Sequence, residues 1–400
     1  MHILYLVPHM PNPTKARSHY QIRGLVEAGH SVTVVSLIRR AADLDHVEVL
    51  RAAGVEVIAE RRSTAQLALA AAAGYARGLP LQARLMWSGR LAQRVDEALD
   101  ERPADVVHAE HLRMACYGLG LLNRFPAVWD AIDHLGTFFA QTGQVGASLA
   151  WRAAGIVEAR RLAAYERWLT AQFPLALVIG WRDQELFQRD NPCSERVMVA
   201  APGLPISPRQ SSGPRAENVL VLTGTMDYHP NVSAAHFLVG EVMPIIWRTR
   251  PDIRLQIVGA RPTTEVRRLA SDRIEVTGLV PSLEPYLDAA TAALAPVLYA
   301  GGLQNKVIEA FLAGTPVVAS TVAAAGLDVV DGRELLIADS AQDFAAAVLR
   351  LLADPALRER IGRAGRAYVE AHHDLRKTTE RLVELYELAQ QRFRAVHPPC

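Results

Sequence analysis

One segment of the chain, residues 294–320, combines residue types that suit a phosphate ligand. Its sequence is LAPVLYAGGLQNKVIEAFLAGTPVVAS. An apolar run ends at Pro296, the paired glycines Gly301 and Gly302 follow, and a helix is predicted to begin near Gln304–Asn305. Glycine lets a backbone approach a ligand closely, and a helix N-terminus offers free N–H groups and a positive dipole end. The segment therefore predicts a diphosphate site.

Two charged side chains on this helix support the same prediction. Lys306 lies in the first turn, and Glu309 lies one turn further, where its carboxylate can accept hydrogen bonds from a diol such as a ribose. The chain has 43 basic residues, and only Lys15, Lys306 and Lys377 are lysines. A lysine retained at position 306 therefore indicates a role that arginine does not fill. The alternative is a surface helix whose Lys and Glu are simply solvated.

The elements that must position this segment alternate along the chain. Short apolar, β-branched runs are separated by amphipathic helical stretches, which predicts parallel sheets covered by helices. The predicted strands are 3–7, 32–37, 55–59, 105–108, 127–132, 175–179 and 197–200, then 219–223, 254–258, 274–277, 292–296, 316–319 and 335–338. In such sheets ligands bind at the carboxyl ends of the strands, where the loop before Lys306 would lie.

A break in this alternation predicts two domains. Residues 201–217 are rich in proline, glycine and serine without periodicity, which is typical of a linker. We predict an α/β fold of two doubly wound, Rossmann-like domains that face each other across a cleft. The first would span residues 1–205. The second would span 206–375, and 376–400 would form a further helix.

Composition excludes several classes of function. The net charge of +1 gives no field for a nucleic-acid partner, and three scattered cysteines form neither a disulfide framework nor a zinc site. The first strand is not followed by G-x-G-x-x-G, and no P-loop or G-x-S-x-G motif occurs.

The start of the chain lacks the basic region of a signal peptide, so a cytoplasmic protein is expected. Neither DLD at 43–45 nor HAEH at 108–111 has convincing metal-ligand spacing, so no metal and no cofactor are expected.

The 294–320 segment resembles the donor-site motif of retaining GT-B glycosyltransferases of family 4. Weaker resemblances follow in the family's order at residues 24–36, 221–231, 274–296 and 363–375. The resemblance implies the GT-B fold and transfer of a sugar from a nucleotide-sugar, with retention at the anomeric carbon and without metal. It also implies that residues 1–205 bind the acceptor, that residues 206–375 bind the donor, and that the helix of 376–400 crosses back to the first domain. UDP is preferred over GDP as the nucleotide.

The same resemblance implies roles for individual residues. Glu309 matches the glutamate that holds the ribose hydroxyls, and the segment from Gly278 to Val280 matches the part that meets the base. Four residues match a diphosphate-binding pattern, namely Gly301, Gly302, Asn305 and Lys306. Lys306 would also stabilise the leaving diphosphate.

Three positions depart from the family pattern. Gly301 stands where a first glutamate is usual, and Thr225 lies in the region of a usual Arg and Lys pair. The family's first-domain histidine has no clean match, and Asp133 or His134 takes the corresponding place. These departures keep open a catalytically degenerate module that binds donor for a partner transferase. A GT-B nucleotide-sugar epimerase is the other enzyme class considered.

The sequence gives the weakest indications for the residues that would bind the acceptor. Residues 11–17, with Arg17, and residues 61–95 are expected to contact the acceptor, which is either a lipid-linked glycan or a small molecule. Residues 61–95 carry six arginines and no acidic residue, namely Arg61, Arg62, Arg77, Arg84, Arg90 and Arg94. This pattern predicts either peripheral contact with a membrane or a solvated helix face.

Overall fold

The computed structural model describes residues 1–12, 16–145, 149–189, 193–206, 215–299 and 303–396. The chain divides into two units. Unit 1 comprises Met1–Pro205 together with the C-terminal segment from Asp374, and unit 2 comprises Ile206–His373. Each unit is described separately below.

Within its described residues, unit 1 contains a parallel sheet of seven strands in the order β3-β2-β1-β4-β5-β6-β7. The strands are β1 His2–Leu6, β2 Ser31–Ile38, β3 Glu56–Arg61, β4 Val106–Glu110, β5 Ala127–Ile132, β6 Leu175–Val178 and β7 Val197–Val199. The helices between them are α1 Ala16–Glu27, α2 Ala42–Ala52, α3 Thr64–Tyr75, α4 Gly89–Glu101, α5 His111–Leu121, α6 Leu135–Val145, α7 Leu149–Gln172 and α8 Trp181–Arg189. The strand order reverses between β1 and β4, as in a doubly wound fold.

Unit 2 repeats this plan with six described strands in the order β10-β9-β8-β11-β12-β13. They are β8 Val219–Thr223, β9 Arg254–Val258, β10 Ile274–Gly278, β11 Ala292–Ala295, β12 Val317–Ala319 and β13 Leu336–Ile337. Its helices are α9 His229–Phe237, α10 Met243–Thr249, α11 Thr264–Arg267, α12 Glu284–Ala289, α13 Asn305–Leu312, α14 Thr321–Ala324, α15 Ala341–Ala353 and α16 Pro355–His372. The order reverses between β8 and β11, so the segment that follows β11 lies at the switch point.

The apolar strands are buried on both faces because helices cover each side of the sheets. In β1, Leu4 and Leu6 face one cluster of buried residues, and Ile3 and Tyr5 face another. This alternation follows from the two-residue period of a strand. The last helix, α17 Leu375–Val396, contributes Tyr386 and its neighbours to the second of these clusters. Unit 1 is therefore built from both ends of the chain.

Candidate active site

The helix predicted to bind phosphate forms directly after the switch point of unit 2. Gln304 occupies its N-cap position, and α13 begins at Asn305, whose side chain is exposed. Val307, Ile308 and Phe311 are buried and anchor the opposite face of the helix in the core. Gly301 and Gly302 lie outside the described residues, so their predicted contacts with a diphosphate stay predictions.

Lys306 is held by a residue that the sequence reasoning did not single out. Its ammonium donates a hydrogen bond to Oδ1 of Asn231, which lies in α9. The Asn231 side chain is 6% exposed and donates in turn from Nδ2 to the carbonyl oxygen of Thr225, at 3.0 Å. The amide thus joins the first turn of α13 to the loop after β8. The only sequence signal for it was its place at the end of VLTGTMDYHPN.

Burial changes the acidity of both charged groups on α13. It lowers the pKa of Lys306 to about 8, although the nearby Glu309 carboxylate opposes this change. It raises the pKa of Glu309 to about 7, with the Lys306 ammonium acting in the opposite direction. Two half-buried groups of opposite charge therefore lie one turn apart, and burial disfavours the charged form of each. Such an arrangement is suited to an incoming anion and a polar diol.

Two glycines allow the loop that carries Thr225 to lie close to its neighbours. Gly224 has φ +147°, and a Cβ there would lie 2.6 Å from Nδ2 of Asn231. Gly259, at the end of β9, has φ +149°, and a Cβ there would lie 1.8 Å from the Gly224 carbonyl oxygen. Larger residues at either position would displace the Thr225 carbonyl that orients Asn231. The geometry of Lys306 therefore depends on both glycines.

Other predicted donor residues lie along the same edge of the sheet. Gly278 ends β10 with φ +75°, and a Cβ there would meet nothing within 4 Å. Leu279 after it is 82% exposed, and Val280 is half-buried. This short turn leaves an open backbone at the edge strand of the sheet. Its predicted contact with a base stays a prediction.

In unit 1, Asp133 follows β5 at a strained point of the backbone. Ile132 has φ +71°, which is unusual for a β-branched residue. Oδ1 of Asp133 is buried and finds no hydrogen-bond partner among the described residues. Burial, reinforced by the charge of Asp183, raises the pKa of Asp133 to about 7. A carboxyl group in this state can hold or release a proton near neutral pH.

His134 and two further carboxyl groups surround the start of α6. The backbone N–H of His134 donates to Asp183 at 3.0 Å, and its Nδ1 accepts from the backbone N–H of Thr137 at 3.1 Å. Glu166 accepts from the N–H groups of Leu135 and Gly136. Burial nevertheless raises the pKa of Glu166 to about 8. His134 is thus oriented by its own helix and by Asp183.

Arg17 is engaged within unit 1. Its guanidinium forms an ion pair with Asp130 at 2.7 Å and donates to the carbonyl oxygen of Ala200 at 3.0 Å. Asp130 is fully buried and also lies 3.3 Å from Nε2 of His108, whose Nδ1 contacts the Tyr386 hydroxyl at 2.9 Å. Burial, the largest single influence, would raise the pKa of Asp130, but the charges and hydrogen bonds of Arg17 and His108 together outweigh it and the pKa is lowered. The structure gives Arg17 a structural role, and its predicted contact with an acceptor stays a prediction.

The six arginines of residues 61–95 differ in their surroundings. Arg94 donates to the carbonyl oxygen of Ala59, Arg62 lies 3.7 Å from Glu60, and Arg84 stacks on Trp87. Arg61, Arg77, Arg90 and Arg94 are exposed. In the part of the chain that the structure describes, no helix is long and apolar enough to cross a membrane. The same described residues contain no cluster of three metal-ligating side chains.

Comparison with known proteins agrees with this architecture. Residues 217–354 match the family model of glycosyl transferases group 1. A GDP-mannose-dependent monoacylated alpha-(1-6)-phosphatidylinositol monomannoside mannosyltransferase of Corynebacterium glutamicum is 32% identical over 161 residues. That match covers 37% of this chain and 42% of the relative, so the chain spans less than half the length of the relative.

Solved structures resemble nearly the whole chain. Anabaena HepE in complex with UDP has a TM-score of 0.68 and 17% identity over 97% of this chain and 100% of its own. The sucrose-phosphate synthase of Thermosynechococcus elongatus has a TM-score of 0.70 and 18% identity over 98% of this chain and 99% of its own. The predicted fold class is confirmed, because the chain has the GT-B fold. The predicted resemblance to group 1 glycosyltransferases is confirmed as well.

Proposed function

We propose that this protein transfers a sugar from a nucleotide-sugar, a UDP-sugar in the first instance, to a hydroxyl or amine of an acceptor. The observation that carries the proposal is the joined arrangement of Lys306, Asn231 and Glu309 at the switch point of unit 2. The family match over residues 217–354 covers this arrangement and supports the same activity.

Lys306 would act on the group that leaves. When the bond between the anomeric carbon and the diphosphate oxygen breaks, negative charge develops on that oxygen. A positive group fixed nearby stabilises the charge in the transition state. Asn231 positions the ammonium before the donor arrives, so little reorganisation is needed during the reaction. The N-terminus of α13 adds its dipole to the same site.

The new bond forms between the acceptor oxygen or nitrogen and the anomeric carbon. We propose that the departing diphosphate oxygen takes the acceptor proton, which balances the reaction without a separate general base. The proposal includes retention of configuration and independence of metal, both of which come from the family resemblance. Asp133 and His134 would contact the donor sugar rather than remove the proton.

The nucleotide and the acceptor define the finer part of the proposal. HepE was solved with UDP, and the Corynebacterium relative is named as GDP-mannose-dependent, so both nucleotides need to be compared. That relative is also named for a lipid acceptor, which supports a lipid-linked glycan as the acceptor here. Unit 1 would bind the acceptor, and Arg77 and Arg90 would contact an anionic membrane surface. We expect Arg77→Gln with Arg90→Gln to reduce sedimentation with anionic vesicles at low salt.

The proposal is tested by binding and turnover in parallel. Calorimetry should show that UDP binds more tightly than GDP, and the full chain should hydrolyse or transfer sugar from the matching donor. Turnover that survives excess EDTA is expected, whereas loss restored by Mg²⁺ or Mn²⁺ would contradict metal independence. A protein that binds the nucleotide but never turns over donor would be a binding module instead. Proton NMR of the product gives the anomeric configuration.

A further inference from the structure

A cavity of about 610 Å³ lies among the helices of unit 1. It is bordered by the segment between α3 and α4, by the middle of α5 and by the second half of α7. Apolar and aromatic side chains supply most of its lining, including Leu79, Trp87, Leu119, Tyr165 and Trp168. Its volume falls within the usual range of small-molecule sites, roughly 300–1,000 Å³.

Two guanidinium groups also line this cavity. Arg84 stacks on Trp87 with its central carbon 4.7 Å from the ring centroid, and Arg161 stacks on Tyr75 at 4.1 Å. Nη1 of Arg161 is buried without a hydrogen-bond partner among the described residues. Neither arginine forms an ion pair with a carboxylate of the described chain. A buried donor of this kind needs an acceptor, and an anionic group would supply one.

Further apolar surface is exposed on the elements that border the cavity. Trp168 is 46% exposed, Tyr75 is 42% exposed and Leu81 is 49% exposed. Trp168 stacks on Tyr165 of the lining, Tyr75 lies under the guanidinium of Arg161, and the N–H of Leu81 donates to Glu158 of α7. Exposed aromatic and aliphatic side chains beside unpaired arginines match a ligand that is apolar at one end and anionic at the other.

The cavity lies apart from the residues that follow the strands of unit 1. His111 lies at the carboxyl end of β4, and Leu119 of the lining lies eight residues further along α5, about 12 Å along the helix axis. Trp168 lies near the end of α7, just before β6 begins. The lining is therefore nearer the amino edge of the sheet, whereas Asp133 and His134 lie at the carboxyl edge.

We propose that this cavity binds the hydrocarbon chain of an anionic single-chain amphiphile, with its charged group against Arg84 and Arg161. The apolar lining would hold the chain, and the two guanidinium groups would hold the anion. This site is separate from the nucleotide-sugar site, and its occupation does not depend on the proposed transfer reaction.

Calorimetry with dodecyl phosphate, below its micelle concentration, tests the proposal on the full chain. Saturable binding is expected, and dodecyl maltoside, which has the same chain and an uncharged head, should bind more weakly. Ala164 lines the cavity and is exposed, so Ala164→Trp should fill the space without disturbing the core and weaken binding about tenfold or more. Ala171→Trp, at an exposed position on the same helix, is the matched control and should bind normally.

The arginines are tested separately. Arg161→Gln and Arg84→Gln should each weaken dodecyl phosphate binding by roughly tenfold and leave dodecyl maltoside binding nearly unchanged. Arg160→Gln, an exposed neighbour on α7, should have no effect. Binding that is absent, or equal in Ala164→Trp and the wild type, would overturn the proposal. Nucleotide binding by the same variants should stay normal, which separates this outcome from a failure of the proposed transferase function.

A vesicle arm identifies the source of the amphiphile. If the chain comes from a membrane lipid, the wild type should sediment with vesicles that contain phosphatidylglycerol, and Ala164→Trp should sediment less. If the ligand is a free amphiphile, dodecyl phosphate should bind while the two proteins sediment equally. Both results support the cavity as the site, and they differ only in the origin of its ligand.

Discussion

The carboxyl edges of the two sheets are built in different ways. In unit 2, the charged groups Lys306 and Glu309 belong to one short helix, and the Lys306 ammonium donates to the distant Asn231. In unit 1, Arg17, His108, Asp130 and Tyr386 come from four elements and lock one another in a buried network. The first edge keeps a positive group available for a ligand, whereas the second uses its charges to hold the sheet, α1 and α17 together.

This difference predicts that charge removal harms the two units in different ways. In unit 1 the main loss should be in the free energy of unfolding, because a buried carboxylate would be left unpaired. In unit 2 the main loss should be in transfer rate or nucleotide affinity. The predictions below test this contrast.

The largest effect is expected for Arg17→Met. It removes the partner of the fully buried Asp130 and should lower the free energy of unfolding by about 3–5 kcal/mol. Denaturant unfolding measures the change. Arg23→Met is the control, since Arg23 pairs with Glu27 on the same helix, with both side chains about half exposed, and should cost at most about 0.5 kcal/mol. Equal losses in the two variants would show that the network of Asp130 does not stabilise unit 1.

Lys306→Ala should slow transfer with little effect on unfolding. Loss of one strong electrostatic donor predicts a fall in kcat/KM of roughly 10²–10³-fold. Lys306→Arg should restore little, because a planar guanidinium is larger than an ammonium and does not fit the amide of Asn231 in the same way. Lys377→Ala, an exposed lysine in unit 1, is the control. Wild-type kcat/KM in Lys306→Arg would show that any positive charge suffices at this position. Full activity in Lys306→Ala would show that Lys306 does not belong to the site.

Glu309→Ala should weaken binding of the nucleoside diphosphate by about 1.5–3 kcal/mol, the range for hydrogen bonds to charged groups. The loss of affinity should be smaller for a dideoxynucleoside diphosphate, which lacks the ribose hydroxyls. Glu284→Ala, an exposed residue at the start of α12, should bind normally. Calorimetry that shows unchanged affinity for Glu309→Ala would exclude the ribose contact.

The sequence was sufficient to predict those features that depend on residues close together along the chain. The fold class followed from the alternation of apolar runs and helical stretches. The sequence also placed the start of α13 after a strand, because the strand, loop, helix and next strand are contiguous in residues 294–320. Asn231 could not be assigned to Lys306, because 75 positions separate them and only the fold brings them together. The ion pair of Arg17 with Asp130 could not be predicted for the same reason, because 113 positions separate the two residues, and Arg17 was therefore assigned to the acceptor.

The last prediction concerns the pH dependence of Asp133. The pKa of this carboxyl is raised to about 7 in the folded chain, above its ordinary value of 3.8. Its protonated form therefore contributes stability that is fully present below about pH 4 and is lost as the pH rises toward 7. Asp133→Asn cannot ionise, so its stability relative to the wild type should increase by about 1.4 kcal/mol per pH unit over this range, which is about 2–3 kcal/mol between pH 5 and pH 7, and then stay level. Denaturant unfolding at pH 5 and pH 8 measures the difference. Asp272→Asn, at an exposed position in unit 2, should show no such trend. A relative stability of Asp133→Asn that is the same at both pH values would mean that Asp133 ionises freely, and the carboxyl edge of unit 1 would then hold an ordinary solvated acid beside its buried network.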